Sequence, residues 1–165
     1  MLSPNDLSVF DHSAAPLGPP VTTDVWPLNR GSNLNHEPVL IVEDERVSRR
    51  ALSALLACYG YPTQAVASAE EALQILNQPG HPGIVLVDLD LPGMSGLDLI
   101  ERLSHTDPSL AMVMITAARR EGLAAELAHY GAAYLSKPLN FDVLLGLLAE
   151  IDQSRGLPDK NAPLA

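Results

Sequence analysis

Five polar side chains stand where apolar runs stop. Glu43 and Asp44 follow Val39-Leu40-Ile41-Val42, and Asp88 follows Ile84-Val85-Leu86-Val87. Thr116 closes the run from Leu110 to Ile115, and Lys137 comes just after Ala133-Tyr134-Leu135. Three carboxylates gathered at one place repel each other and need protonation or a cation to neutralise them. An oxygen-only set suits Mg2+, with Mn2+ as the substitute, rather than zinc. His12, His36, His81, His105 and His129 are scattered and follow no ligand spacing. A cation at such a cluster also draws a phosphoryl group. Lys137 then supplies a fixed positive charge for phosphoryl oxygens, Thr116 a hydroxyl donor, and Asp88 the nucleophile of an aspartyl phosphate. Taken singly, each residue has a plainer role: a turn-capping Asp, a strand-end Thr, a solvated Lys. Their joint placement carries the chemical reading.

The elements that must position them are readable from apolar spacing. Val39 to Val42 is the first buried strand. Apolar residues at 47, 51, 52, 55, 56 and 59 predict a helix over 48–59, stopped by Gly60 and Pro62. This helical pattern also places the lone Cys58 as a buried thiol. Residues 63–67 form a short strand, and Ser68-Ala69-Glu70-Glu71 has the form of a capping box that opens a helix running to Pro79-Gly80. Residues 84–87 are the third strand, ended by the turn residues Pro92-Gly93. Ser95-Gly96-Leu97-Asp98 opens the next helix, followed by a fourth strand over 110–115. A helix over 119–130, a fifth strand over 133–135 and a helix over 141–151 capped by Asn140 complete the series. Strands alternating with helices predict a five-stranded doubly wound parallel sheet of α/β class. Right-handed crossovers place the carboxyl ends of all strands on one edge, so the five polar residues converge there.

The chain has 165 residues and a formal net charge of −10, which opposes nonspecific binding to nucleic acid or to an anionic membrane. One cysteine excludes an internal disulfide and fits a reducing compartment. The opening residues lack a basic segment before an apolar run, and no apolar run approaches the roughly 18 residues of a membrane span. A cytoplasmic protein is expected. Residues 1–37 carry five prolines without a steady apolar period and read as a flexible arm, residues 38–151 as the domain, and residues 152–165 as a frayed tail. Val25-Trp26-Pro27-Leu28 is the arm's one apolar knot, holding the sole tryptophan. It reads as loose packing on the domain or as a docking segment.

The combined motifs resemble the receiver domain of bacterial two-component response regulators, the CheY-like group. Val39 to Glu45 is similar to its first strand and acidic pair. Asp88-Leu89-Asp90-Leu91-Pro92-Gly93-Met94-Ser95-Gly96 is similar to its phosphoacceptor strand and loop. Ile115-Thr116-Ala117 and Gly131 to Pro138 match its switch-threonine and Lys-Pro segments. The resemblance spans residues 38–151 and implies a flavodoxin-like (βα)5 fold. It implies that Asp88 accepts a phosphoryl group from a histidine kinase or histidine phosphotransferase. It also implies that Asp44 and Asp88 bind Mg2+ directly, Glu43 through water, and Asp90 through its backbone carbonyl. Thr116 and Lys137 would hold phosphoryl oxygens, and Tyr134 would be the switch aromatic that follows Thr116. The implied output is a small shift of the last two helices and the fifth strand that changes affinity for a partner protein. Such a module is a phosphoacceptor rather than an enzyme. Only about 14 residues follow the last helix, so the expectation is a single-domain regulator without a DNA-binding output of its own.

The acidic pair is Glu-Asp rather than the commoner Asp-Asp, and Asp90 and Ala118 flank the path of a hydrolysing water. Ala132-Ala133 and a last helix without a base over 141–151 do not provide the charged pairs of one known mode of receiver dimerisation. In that helix Val143 and Leu147 widen the apolar face beyond what a sheet covers, which reads either as a partner or self-association surface or as a helix covered by one of the chain's ends. Two other readings exist. Asp88-Leu89-Asp90 also looks like the Asp-x-Asp of haloacid dehalogenase-type phosphatases, but there the motif lies on the first strand with the metal pair downstream. A pseudo-receiver scaffold would never take phosphate, but it would not need the complete set of five residues.

Overall fold

The computed structural model describes residues 36–156. Ten elements alternate along them: β1 Val39–Val42, α1 Arg46–Cys58, β2 Thr63–Val66, α2 Ala69–Leu76, β3 Ile84–Asp88, α3 Gly96–Thr106, β4 Ala111–Thr116, α4 Leu123–His129, β5 Ala132–Ser136 and α5 Phe141–Ser154. All strand pairings are parallel, in the order β2-β1-β3-β4-β5. The doubly wound parallel sheet expected from the alternation, and the flavodoxin-like (βα)5 order that the resemblance implies, are therefore the observed fold.

A parallel sheet covered on both faces needs strands that are apolar on both sides. Every residue of β1 and β3 is buried, whereas edge strand β2 keeps Ala65 exposed. Side chains alternate between two cores. Val39, Ile41, Ile84, Leu86, Val113 and Ile115 face α1 and α5, where Leu52, Leu56, Leu144 and Leu148 meet them. Leu40, Val42, Val85, Val87, Met112 and Met114 face the other layer, formed by α2, α3 and α4. The chain order reverses between β1 and β3, so the crevice at their carboxyl ends is the place where such sheets bind ligands. Among the described residues no helix is long and apolar enough to cross a membrane.

Several boundaries differ from the sequence reading. Helix α1 starts at Arg46, two residues early, because the Glu45 carboxylate caps it by accepting from Val47 N at 2.9 Å and Ser48 N at 2.6 Å. Cys58 is exposed, not buried: it lies in the last turn of α1, on the side away from Leu56. Helix α2 ends at Leu76, short of Pro79. Helix α4 starts at Leu123 rather than near Arg119, since Gly122 has φ +81° and a residue in that region cannot continue a right-handed helix. Helix α5 runs three residues beyond Ile151, to Ser154. The expected surface on α5 divides: Val143 is half exposed, but Leu147 packs against the α1–α5 core. The knot at 25–28, like the rest of 1–35 and 157–165, lies outside the described residues.

One glycine is dictated by the path of β3. A Cβ on Gly96 would lie 2.0 Å from the backbone oxygen of Asp88 and 2.9 Å from Val87 Cγ1. Backbone cannot yield as a side-chain end can, so Gly96→Ala is expected to lower unfolding free energy by about 2 kcal/mol or more. Gly146, mid-α5 with open space around its Cα, supplies the control: Gly146→Ala should raise stability by about 0.5–1 kcal/mol. Urea denaturation of both variants checks the opposite signs.

Candidate functional site

The register of the sheet assembles the acidic cluster. Val42 pairs with Val87, so Glu43, the next residue after β1, lies beside Asp88, the last residue of β3. Asp44 follows on the exposed side of the same turn. Carboxylate oxygens of Glu43, Asp44 and Asp88 all lie within 4.8 Å of one another. Glu43 and Asp88 are only 6% and 8% exposed. Arg49, on the first turn of α1, fixes the turn by donating to the backbone oxygens of Glu43 at 2.7 Å and Asp44 at 3.0 Å. The sequence reading missed this clamp, because it is a side chain reaching back to carbonyls rather than to a charge.

Lys137 enters from the other side. Thr116 pairs with Ser136, and Lys137 N donates to Thr116 O at 2.9 Å, which turns its side chain over the end of the sheet. Its Nζ donates to Asp88 Oδ2 at 2.5 Å and to Glu43 Oε2 at 2.9 Å. Thr116 is fully buried, and its Oγ1 accepts from Ala118 N at 3.0 Å. Tyr134 donates its hydroxyl to Ala118 O at 3.4 Å. Thr116, Ala118 and Tyr134 thus form one connected chain. The Asp88 Oδ1 accepts from Asp90 N at 3.4 Å, and the loop that follows is held by Glu70, whose Oε1 accepts from Met94 N at 3.2 Å. All six residues singled out for chemistry, and Tyr134, therefore converge on the carboxyl edge. Glu45, the third consecutive acid, does not join them, since capping α1 uses both its oxygens.

Electrostatics follow from this packing. Burial pushes the Glu43 carboxyl above its ordinary range, and repulsion from Asp88 adds to it, against the lowering effect of the Lys137 hydrogen bond. Burial pulls the Lys137 ammonium down, but its hydrogen bonds and charge contacts with Asp88 and Glu43 outweigh this and raise it above 10.5. One ammonium faces three carboxylates, so negative charge remains in excess. The donor set is all oxygen and spaced within reach of a single ion, which fits a hard divalent cation such as Mg2+.

The comparisons agree with this geometry. The family model for the response regulator receiver domain matches residues 39–149. The chain is 39% identical over 112 residues to the response regulator protein FleR of Pseudomonas aeruginosa, covering 67% of this chain and 24% of that one. It is 30% identical over 108 residues to sporulation initiation phosphotransferase F of Bacillus subtilis, covering 65% of this chain and 86% of that one. Against the first three curated relatives it matches, the chain spans only 24% to 47% of their length. A CheY-like receiver domain protein from Methanospirillum hungatei superposes with a TM-score of 0.67 at 26% identity, covering 73% of this chain and 98% of that one. A receiver protein from Pseudomonas putida superposes with a TM-score of 0.66 at 29% identity, covering 70% and 97%. This chain belongs to the response regulator receiver family of two-component signalling. Receivers are phosphorylated on an aspartate and typically bind Mg2+ at an acidic pocket.

The two shifts act in the same direction on stability against pH, in different windows. Lys137 has a raised folded value, so its contribution is fully present below 10.5 and is lost as pH rises through the higher folded value. Glu43 is an acid with a raised folded value. Its neutral form favours the fold below 4.5, and that contribution is lost as pH rises through the folded value. At pH 7 and without divalent cations, Lys137→Met should destabilise by about 1–3 kcal/mol, since it leaves buried carboxylates unpaired. Glu43→Gln should stabilise at pH 7, and this gain should vanish below about pH 4.5 as the wild-type carboxyl protonates in both states. Urea denaturation across pH 4 to 9 checks both signs.

Proposed function

We propose that residues 38–151 form a phosphoryl-accepting switch in which Asp88 is the acceptor. The observation that carries this reading is the contact of Lys137 Nζ with both Asp88 and Glu43, which places a cation and a nucleophilic carboxylate in one shallow recess. The phosphoryl donor is a phosphohistidine on a histidine kinase or histidine phosphotransferase. An Asp88 oxygen attacks phosphorus, the phosphorus–nitrogen bond breaks, and the electron pair leaves on the imidazole. Asp44 and Asp88 directly, Glu43 through water and the Asp90 carbonyl are the groups that would hold Mg2+. When bound, Mg2+ neutralises carboxylate charge and favours phosphoryl oxygens. Lys137 leaves Glu43 to pair with a phosphoryl oxygen, and the Thr116 hydroxyl donates to another.

The output reading rests on the connected chain at the end of β4. If Thr116 Oγ1 turns to the phosphoryl group, it gives up its bond from Ala118 N. Ala118 O also accepts from Tyr134, so the Tyr134 ring follows that movement on β5. Added charge of about −1.5 to −2 on Asp88 drives the change. The surface altered is that of α4, β5 and α5, where an output protein would bind. The name of sporulation initiation phosphotransferase F, matched over 86% of its length, supports phosphoryl transfer by a chain of this extent.

Incubation with Mg2+ and acetyl phosphate, followed by intact mass measurement, tests the acceptor assignment. One added phosphoryl group is expected, absent in Asp88→Asn and absent with EDTA. Turnover of a generic phosphomonoester is expected to be absent. An adduct that persists in Asp88→Asn would overturn the assignment, and steady phosphomonoester hydrolysis would favour a phosphatase.

A further inference from the structure

The turn between β1 and α1 engages nearly all of its backbone polar groups. Glu43 N donates to Val66 O at 3.2 Å, and Glu45 N donates to Glu43 Oε1 at 3.3 Å. Arg49 N donates to Glu45 O at 3.0 Å, which closes the first turn of α1. The two carbonyls in between belong to Glu43 and Asp44. Both accept from one side-chain nitrogen, Nη1 of Arg49, at 2.7 and 3.0 Å. A terminal guanidinium nitrogen carries two N–H groups, so one atom serves both.

The place of these carbonyls in the chain gives the contact its consequence. The Glu43 carbonyl lies in the peptide before the Asp44 Cα, and the Asp44 carbonyl in the peptide after it. Each peptide is planar, so holding both carbonyls fixes φ and ψ of Asp44 and with them the direction of its Cα–Cβ bond. The other two acids of the cluster have a side-chain tether, since Lys137 Nζ lies 2.9 Å from Glu43 Oε2 and 2.5 Å from Asp88 Oδ2. Asp44 is exposed, and its carboxylate has no hydrogen bond or ion pair among the described residues. Its place within 4.8 Å of the other two therefore depends on its backbone and on no side-chain partner. Arg49 is half-buried, whereas Arg50 beside it is exposed and unpaired among the described residues.

We infer that Arg49 is a positioning residue of the cation site: it sets the affinity for a divalent cation by aiming the Asp44 carboxylate at Glu43 and Asp88. The inference rests on the assignment of Asp44 and Asp88 as direct ligands under the proposed function. The sign of the effect separates a brace from a simple charge. A guanidinium beside the site repels an incoming cation, so removing Arg49 as a charge alone would tighten binding. Removing it as a brace frees the Asp44 backbone, and binding weakens. Hydrogen bonds that orient a metal's ligands are worth roughly 10- to 100-fold in affinity, which outweighs the repulsion from one solvent-screened charge.

The test is Mn2+ binding to the full chain, without phosphodonor, followed by electron paramagnetic resonance as the signal of free aqueous Mn2+ is lost. Arg49→Met and Arg49→Gln are expected to raise the dissociation constant about tenfold. Arg50→Met removes the same charge without the contact, and should leave the constant unchanged or lower it. In an Asp44→Asn background, itself a weaker binder, Arg49→Met should add less than about twofold, because the two residues act as one unit. Urea denaturation of each variant accompanies the titration. A merely structural role for Arg49 would lower the denaturation midpoint and leave the constant of the folded chain where it was. An unchanged or tighter constant in the Arg49 variants would overturn the inference. So would an equally large loss in the Asp44→Asn background, since Arg49 would then act through another group. A wild-type chain that binds no Mn2+, or binds it no better than Asp44→Asn, would overturn the ligand assignment and this inference with it. The failure of the inference alone is thus distinguishable from the failure of the site.

Discussion

A single ammonium group placed between two buried carboxylates is the constraint on which this structure turns. Lys137 holds Asp88 and Glu43, while Asp44 adds a third negative charge at the rim. Like charges this close are unfavourable in a low-dielectric setting, and one lysine offsets only part of the repulsion. The edge is therefore poised to accept positive charge. A site more fully neutralised would be more stable and less responsive.

The fold pays for this arrangement by keeping everything beneath it rigid. Parallel strands buried on both faces carry the acidic residues just past their last ladder pairs, and the pairing of Val42 with Val87 fixes how far Glu43 and Asp88 can separate. Arg49 pins the β1–α1 turn, Glu70 pins the β3–α3 loop, and Gly96 lets that loop pass against Asp88 O. The β4–α4 segment is held at its β4 end by a hydroxyl and a phenol that share Ala118, and at its α4 end by Arg120 on Glu126.

The sheet is legible in the sequence because β1, β3 and β4 are unbroken apolar runs that end at polar residues, while edge strand β2, Thr63–Val66, is not; the site is legible because those endings are chemically unlike. What remained hidden has physical causes. Glu45 stands directly after the acidic pair, but its spacing to Val47 and Ser48 makes it the cap of α1. Gly122 reads as a tolerated helix interior, yet its positive φ ends the preceding turn before α4 begins. Cys58 fits the apolar list of α1 but falls on the exposed side, since helical spacing was extended over residues, such as Val47 and Tyr59, that stay in solvent. The His36–Asp152 anchor joins residues 116 positions apart, and no local pattern encodes such a pair. Asp152 looks like a tail residue until α5 is seen to continue past it.

The most direct test of the central claim is the stability of the full chain in Mg2+ against EDTA, followed by urea denaturation at pH 7. An edge with uncompensated carboxylates should gain stability with ion concentration as RT ln(1 + [L]/Kd), reaching about 2.7 kcal/mol at a hundredfold excess over Kd. Asp44→Asn should flatten that dependence without unfolding the protein. Equal denaturation midpoints in Mg2+ and EDTA for the wild-type chain would contradict the account, since they would mean that Lys137 alone balances the cluster.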